Sequence, residues 1–304
     1  MTLRETLLAS MRSLRANRLR SLLTTLGIII GVAAVITLVA LGNGMKVGFD
    51  QQFSKLANQI TVTTASGTVP GGGVARPIKD QDVKALQNES RAPHVASVTP
   101  SMTGSVTITV GPTVERASML GATWNYLRIV DRSVAVGSWF TPTQVRANAK
   151  YAVIGKDAVS LLWGPRTNLA QVLGSTIRVN RTQFKVIGVL TPDGQNDNLV
   201  IVPFGAARSY LVGNQDGQVS QVIVKSTSAD DVNQATDEIS AILDQQHFIK
   251  KIANRDYNVR SFANLLSSRT QFISFLTLFT AAIAAISLIV GGIGVANIML
   301  VSVT

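Results

Sequence analysis

The sequence predicts a membrane protein of the α+β class, in which two transmembrane helices flank one large folded domain. No charged residue lies between Arg20 and Lys46, and none follows Arg269. Each of these runs exceeds the roughly 20 apolar residues that a helix needs to cross a bilayer. Residues 46–269 hold nearly all the charge and alternate strand-like with helix-like segments, so we expect them to fold around a core of their own.

The composition excludes several classes of protein. The chain is 46% hydrophobic and only 15% charged, with a mean hydropathy of +0.27, whereas disorder needs low hydrophobicity and high charge. The absence of cysteine excludes a disulfide scaffold and thiolate zinc sites, and two histidines are too few for an all-histidine metal site. The net charge of +11 is diffuse outside the N-terminal flank and does not indicate nucleic-acid binding.

Residues 22–45 are predicted to form the first transmembrane helix. The apolar run is longer than the about 7–15 residues of a signal peptide, and no A-x-A-like cleavage site follows it, so we expect a retained anchor. Basic flanks stay in the cytoplasm, which predicts a cytoplasmic N-terminus and an extracytoplasmic domain at 46–269. The predicted anchors at the cytoplasmic membrane surface are Arg12, Arg15, Arg18 and Arg20.

Three local patterns lie before and within the first predicted span. Residues 1–21 carry leucines at helical spacing with arginines between them, which favours a basic amphipathic helix in the membrane interface over a solvated basic tail. Gly27 and Gly31 form a pair of small residues four apart and are candidates for close helix packing. The run Gly42-Asn43-Gly44 predicts the end of the helix.

The predicted central domain is discontinuous. Strand signals at 59–64 and 95–110 enclose a helix signal at 80–87, and a second strand–helix–strand unit lies between 219 and 262. Many short strand-like runs fill the stretch between the two units. We therefore expect an α/β subdomain formed by 46–111 and 216–269, with a β-rich insertion at 112–215. An internal duplication of the two units is an open alternative.

Residues 270–304 are predicted to form the second transmembrane helix, with its C-terminal end inside the cell. The run is longer than one span needs, so the helix must tilt or project. It is rich in small residues, which favours packing against other helices. The candidates for this contact are Ser287, Gly291, Gly292 and Ala296. Neither span contains an ionisable residue, so neither indicates a proton relay.

Two enzyme motifs, the phosphate-binding P-loop and the nucleophile elbow, are absent from the sequence. There is no G-x-x-x-x-G-K-[ST] loop and no G-x-S-x-G elbow. We expect His94 and His247 to lie at the surface rather than in a catalytic dyad. Trp124, Trp139 and Trp163 are expected in core or interface packing rather than stacked on a ligand. The sequence therefore predicts no catalytic, metal or cofactor site.

An ordered set of short motifs runs along the chain. They are LRANRLRSLLTTLGIIIGVAAVITLVALGNGMK at 14–46, VIG at 153–155 with LWG at 162–164, GSTIR at 174–178 with FKVIGVL at 184–190, VPF at 202–204, and NIMLVSVT at 297–304. In this order they closely resemble the macrolide-exporter (MacB/FtsX-like) permeases of ABC transporters. Residues 165–172 form a longer link than is usual there, and in that family a coupling segment and two further membrane helices would follow Thr304.

The resemblance implies a permease subunit that couples ATP hydrolysis by a partner subunit to movement of its extracytoplasmic domain. The implied cargo is a drug, peptide or lipid-linked substrate. It further implies a homodimer or a sister permease, an extracytoplasmic adaptor protein and contact with membrane lipids. ATP and Mg²⁺ would be bound by the partner and not by this chain. The alternatives are a membrane-anchored sensor or regulator that binds a protein such as a cell-wall hydrolase, and an extracytoplasmic enzyme.

Overall fold

The computed structural model of the 304-residue chain divides into two compact units. One comprises 1–54 and 266–304, and the other comprises 55–265. The structure describes residues 56–69, 73–193, 197–213, 217–262 and 271–283, together with 25–26, 29–30, 32–33, 36–37, 39–45, 47–48, 285–286, 289–290 and 292–293.

The unit formed by 55–265 contains an antiparallel sheet in which two β-α-β motifs interleave. The first motif is β1 (Gln59–Thr64), α1 (Asp80–Leu86) and the first half of β4 (Val95–Val110). The second motif is β11 (Gln221–Ser226), α7 (Val232–Gln246) and β12 (Tyr257–Ser261). The strand order β12-β1-β11-β4 places a strand of one motif between the two strands of the other. We call these strands and helices the α/β layer.

Alternating side chains hold the α/β layer together. Ile60 and Val62 of β1 are fully buried, and so are Val222 and Val224 of β11, all against one side of the sheet. Helix α7 buries the face that its periodicity predicts, consisting of Val232, Ala235, Ile239, Ile242 and Leu243. Burying a large aliphatic side chain contributes about 1.5–3 kcal/mol, so this seam fixes the position of the helix.

Six strands close into a small barrel, which we call the barrel layer. In order around the barrel they are the second half of β4, β5 (Thr113–Ala122), β10 (Leu199–Pro203), β7 (Tyr151–Ile154), β9 (Thr182–Leu190) and β8 (Thr176–Val179), which pairs back with β4. Strand β6 (Val134–Gly137) pairs antiparallel with the last residues of β9, at the rim of the barrel. Side chains fill the interior, with Phe184 among the largest that are fully buried.

Short helices cover the barrel layer. They are α2 (Tyr126–Ile129), α3 (Pro142–Arg146), α4 (Lys156–Trp163), α5 (Leu169–Val172) and α6 (Phe204–Ala206), which continues as a π-helix over Ala207–Val212. A 3₁₀ turn at Ile252–Asn254 precedes β12, and the strand pair β2 (Thr68–Val69) and β3 (Gly73–Val74) follows β1. At Gly155 a Cβ atom would lie 2.0 Å from the carbonyl oxygen of Asp197, so only glycine fits there.

Strand β4 belongs to both layers. It pairs with β11 up to Ser101 and with β5 from Met102 onward. The 16-residue strand thus runs without a break from one layer into the other. The α+β class that the sequence predicts is confirmed.

The other unit, which comprises 1–54 and 266–304 and is called the first unit below, is helical at all of its described residues between 25 and 48 and between 271 and 293. The predicted helix end at Gly42-Asn43-Gly44 is wrong, because residues 39–45 and 47–48 are helical. The reason is a close packing contact: a Cβ atom at Gly42 would lie 3.3 Å from side-chain atoms of Ile273 and of Thr277. Among the described residues, no single helix combines the length and the apolar character that crossing a bilayer requires.

Candidate functional site

A buried histidine lies between two buried carboxylates in the α/β layer. His247 Nδ1 lies 2.7 Å from Asp256 Oδ1, and His247 Nε2 lies 3.4 Å from Asp82 Oδ2. The three residues are 8%, 6% and 1% exposed, respectively. We call this arrangement the His247 cluster. A ring with an acceptor at each nitrogen donates at both only in its protonated form, so the geometry favours a histidinium ion.

Three different elements place these side chains. Asp82 lies in the first turn of α1, where its Oδ2 atom accepts the backbone N–H of Lys79 at 2.8 Å. His247 is the residue that ends α7, and Asp256 immediately precedes β12. The backbone N–H of Arg76 donates to Asp256 Oδ2 at 3.3 Å. The cluster therefore ties both helices of the layer to its edge strand.

The two carboxylates raise the pKa of His247 above its ordinary value. The contact with Asp82 is the larger cause, and Asp256 adds to it, while burial acts in the opposite direction. Asp256 makes the shorter contact. Both carboxylates are buried, so water screens neither charge strongly.

Next to the cluster, a loop presents apolar side chains to solvent. We call residues 247–256 the Phe248 loop. Phe248 is 82% exposed and adopts a left-handed backbone with φ of 57°, an unusual conformation for a bulky residue. Ile252 is 75% exposed, and Val74 of β3 is 87% exposed. The nearby exposed cations are Arg76, Lys250 and Lys251.

A shallow groove connects these residues. Its lining combines apolar side chains of the β2–β3 pair with the Phe248 loop and the His247 cluster. It lies where β1 ends and β12 begins, because Thr64 pairs with Tyr257. The strand ends toward 55 and 265 lie at the opposite edge, where Ile60 pairs with Ser261. The two pairs are four residues apart along β1, which places the two edges roughly 13 Å from each other.

A charged contact joins the two layers. Arg208, in the π-helix that follows β10, donates from Nη1 to Asp80 Oδ2 at 2.8 Å and from Nη2 to Asp80 Oδ1 at 2.7 Å. Its Nη2 also donates to the carbonyl oxygen of Gln218, and its guanidinium lies 4.6 Å from the ring centre of Phe204. Asp80 begins α1, two residues before Asp82. The first turn of α1 thus contacts both the barrel layer and the His247 cluster.

Most of the residues that the sequence predicts for helix packing and membrane anchoring lie outside the described part of the chain. Only Gly292 is described; it is helical and exposed, and a Cβ atom there would meet none of the described residues within 4 Å. The contact that the structure does describe is at Gly42, which the sequence analysis assigned to a helix end. The predicted residues outside the description are Gly27, Gly31, Ser287, Gly291, Ala296, Arg12, Arg15, Arg18 and Arg20.

The two histidines differ from each other in a way that the sequence did not indicate. The side chain of His94 is 37% exposed and pairs with Glu238, whereas His247 is buried. The surface position predicted for His247 is therefore wrong. Its burial depends on Asp82, which is remote in sequence, and no spacing pattern links the two. The local signal at this site is the segment Phe248-Ile249-Lys250-Lys251, in which two apolar residues precede two lysines after the end of a predicted helix.

The tryptophans have three different environments. Trp163 packs against the barrel interior. Trp139 stacks on Tyr126 and donates its indole N–H to the carbonyl oxygen of Trp124 at 2.9 Å. Trp124 itself is 46% exposed. Among the described residues, no group of three or more His, Asp or Glu side chains, the His247 cluster included, is arranged so that it could hold a metal ion.

Two solved structures share this fold. The periplasmic region of MacB from Actinobacillus actinomycetemcomitans gives a TM-score of 0.58 at 19% identity, over 73% of this chain and 95% of that one. The extracellular domain of the noncanonic ABC-type transporter YknZ from Gram-positive bacteria gives 0.55 at 21% identity, over 67% and 100%. The 55–265 unit thus shares its fold with the periplasmic region of MacB and the extracellular domain of YknZ.

The chain belongs to the family of the MacB-like periplasmic core domain, whose model matches residues 21–242. The macrolide export ATP-binding/permease protein MacB of Azoarcus sp. (strain BH72) is 33% identical over 302 residues, which cover 97% of this chain and 44% of that protein. The pyoverdine export ATP-binding/permease protein PvdT of Pseudomonas entomophila is 32% identical over 308 residues, covering 98% and 45%. The chain spans less than half the length of these curated relatives. The predicted membership of the MacB/FtsX-like permeases is confirmed.

Proposed function

We propose that this chain is the permease part of an ABC exporter that transmits ATP-driven motion to a domain outside the membrane. The observation that supports this most directly is the match, over nearly the whole chain, to relatives described as ATP-binding/permease proteins. This sequence itself has no phosphate-binding loop. ATP and Mg²⁺ are therefore assigned to a partner subunit, and this chain is assigned no catalytic role.

The construction of the 55–265 unit suits a mechanical role. Strand β4 runs through both layers, and the Arg208–Asp80 ion pair clamps them at a second point. Two connections at different places resist rotation of one layer about the other. A displacement applied at the strand ends near 59 and 261 would thus move the domain as one body. The relatives are described as macrolide and pyoverdine export proteins, and we assign this chain to the export of a drug, peptide or lipid-linked substrate.

The arrangement in the membrane follows from the sequence. We assign residues 1–21 to a cytoplasmic basic helix, 22–45 and 270–304 to transmembrane helices, and 46–269 to the extracytoplasmic domain. Because the chain has no cysteine, single-cysteine variants test this assignment with a membrane-impermeant thiol reagent. A cysteine at Thr143 should be labelled in intact cells, and one at Ser13 only after lysis. The reverse pattern would contradict the assignment.

The exposed apolar side chains favour a protein partner outside the membrane. Phe248, Ile252 and Val74 with their three flanking cations fit an acidic surface that offers an apolar pocket. We assign this surface to an adaptor protein; a cell-wall hydrolase would define the regulatory alternative.

A photo-crosslinking amino acid at 248 should capture the partner in cells. The same residue at Thr143, on α3 of the barrel layer, serves as the control.

Co-purification of the native chain from gently solubilised membranes tests the transport role. We expect an ATP-binding subunit in stoichiometric amount, and the reconstituted complex should hydrolyse ATP faster than that subunit alone. A homodimer or a sister permease should be present in the same complex. An ATPase whose rate is unaffected by this chain in lipid would overturn the proposal.

A further inference from the structure

We propose that the His247 cluster is a pH-sensitive latch that holds the Phe248 loop closed while the imidazole is protonated and releases it when the proton is lost. The inference depends on the α/β layer alone and goes beyond the proposed transport function. Its basis is the position of one ring between two buried carboxylates, at the start of a loop that is strained and apolar.

A neutral imidazole cannot satisfy both neighbours. It carries one N–H, so one ring nitrogen would turn a lone pair toward a buried carboxylate. Asp82 Oδ1 is buried, and no hydrogen bond to another described residue satisfies it. Loss of the proton would therefore leave two buried negative charges without the cation between them, which is costly in a poorly hydrated site.

The loop is poised to open once the cluster weakens. The left-handed backbone of Phe248 is held by two hydrogen bonds to the last turn of α7, from the N–H of Phe248 to Gln245 O at 3.3 Å and from the N–H of Ile249 to Asp244 O at 2.8 Å. Ile249 packs on the core of the layer while Phe248 points to water. Phe248 and Ile252 are already exposed, so opening of the loop must break the core contact of Ile249.

Titratable or charged groups face His247 from every neighbouring element. Arg76 Nη1 lies 3.5 Å from the carbonyl oxygen of His247, and the ring of Tyr257 meets the imidazole edge-on at 6.1 Å between centres. Burial raises the pKa of Asp244, but hydrogen bonds from Arg255 and Tyr257 lower it below its ordinary value, and the charge of His247 adds a smaller lowering. The Nε and Nη2 atoms of Arg255 both donate to Asp244. The facing groups are Asp82 from α1, Arg76 from the segment before it, Asp244 from α7, and Arg255, Asp256 and Tyr257 from β12 and the turn before it.

The direction of the pH effect follows from the sign of the shift. The folded-state pKa of His247 is raised, so the stabilisation by the cluster is complete below the ordinary histidine value near 6.5. It is lost as the pH rises through the folded-state pKa. The loop is thus closed in acid and released in alkali.

Thiol labelling of the full chain tests the latch. A cysteine at Ile249, which packs on the core when the loop is closed, reports opening; a cysteine at exposed Thr143 corrects for the pH dependence of thiol reactivity. We expect the corrected protection of the 249 reporter to fall several-fold between about pH 5.5 and about pH 9. His247→Gln should abolish this dependence and give low protection throughout. His94→Gln, the matched control, should behave as the parent chain.

Two results would overturn the latch: constant protection of the parent chain over this range, or unchanged pH dependence in His247→Gln. A cysteine at Val179, fully buried in the barrel, reports whether a variant has unfolded altogether. If His247→Gln does not fold, Asp82→Asn decides the question. Removing one carboxylate lowers the pKa of His247, so the transition must move to lower pH; an unmoved transition contradicts the proposal.

Discussion

Arg208 and Asp80 form a two-pronged ion pair across the junction of the barrel layer and the α/β layer, with N–O distances of 2.8 and 2.7 Å. The arginine side chain is 16% exposed and the aspartate side chain 46%, so solvent screens the pair in part. The planar fork of arginine matches a carboxylate in a way that lysine cannot. The pair therefore fixes the angle between the layers more than it adds to their stability.

Replacing Arg208 by lysine should separate these two effects. The charge remains, but the paired hydrogen bonds and the contact with the ring of Phe204 are lost. We expect a small loss of stability, about 0.5–1 kcal/mol, together with weaker stimulation of the partner ATPase. Thermal unfolding of the detergent-solubilised chain and the ATPase rate of the complex measure the two quantities. Arg146→Lys, on exposed α3, is the control and should change neither quantity.

The α/β layer was predictable where its signals are local. The period-two pattern of β1 and the apolar stripe of α7 each buried the face that the sequence predicts. Closure of the barrel was not predictable, because it depends on β8 pairing with β4, a contact between remote segments. The helix end predicted at Gly42 failed for a similar reason. A glycine that ends a helix and one that admits a neighbouring helix look alike in sequence.

Gly42 should not tolerate a large side chain. Its missing Cβ leaves room for Ile273 and Thr277, each 3.3 Å from the position that a Cβ atom would take. Gly42→Leu should destabilise the first unit by about 1–3 kcal/mol, since the two helical segments must separate to admit it. Gly44→Leu is a matched control two residues away, because a Cβ atom there meets none of the described residues within 4 Å. Equal melting temperatures for the two variants would contradict this contact.

His94 should also titrate above its ordinary range, but at the surface. Its Nδ1 atom lies 2.5 Å from Glu238 Oε1, and this hydrogen bond is the main cause that raises its pKa. The pairing is complete below the ordinary value near 6.5 and is lost as the pH rises through the raised folded-state pKa. Proton NMR of the two histidine signals measures both titrations. Glu238→Gln should lower the pKa of His94 and leave His247 unchanged.

The site itself was the part that sequence could least predict. His247 and Phe248 are adjacent, yet one is buried and the other is 82% exposed. Periodicity continues a helix face but does not say where the helix stops, and α7 ends at this pair. The partner Asp82 sits in the first turn of α1, where a carboxylate is expected as a helix cap whether or not it meets a histidine. Only the tertiary fold brings the two together.

The phenylalanine at 248 is expected to favour partner binding while it lowers the stability of the domain. Its position after the end of α7 has φ of 57°, where glycine is the favoured residue. Phe248→Gly should therefore raise the free energy of unfolding by about 1 kcal/mol, since it relieves the backbone and removes an exposed ring. Phe248→Ala removes the ring but keeps the strained backbone, so it should not be stabilised.

Partner binding completes this last prediction. If the Phe248 loop is the docking surface, both variants should lose the complex to a similar degree, because both lack the ring that enters the partner. Pull-down of the identified partner with the two variants measures the loss, and thermal unfolding measures the stability. Retention of the partner by both variants would place the docking surface elsewhere. A glycine variant less stable than the alanine variant would show that the left-handed backbone at 248 is not strained.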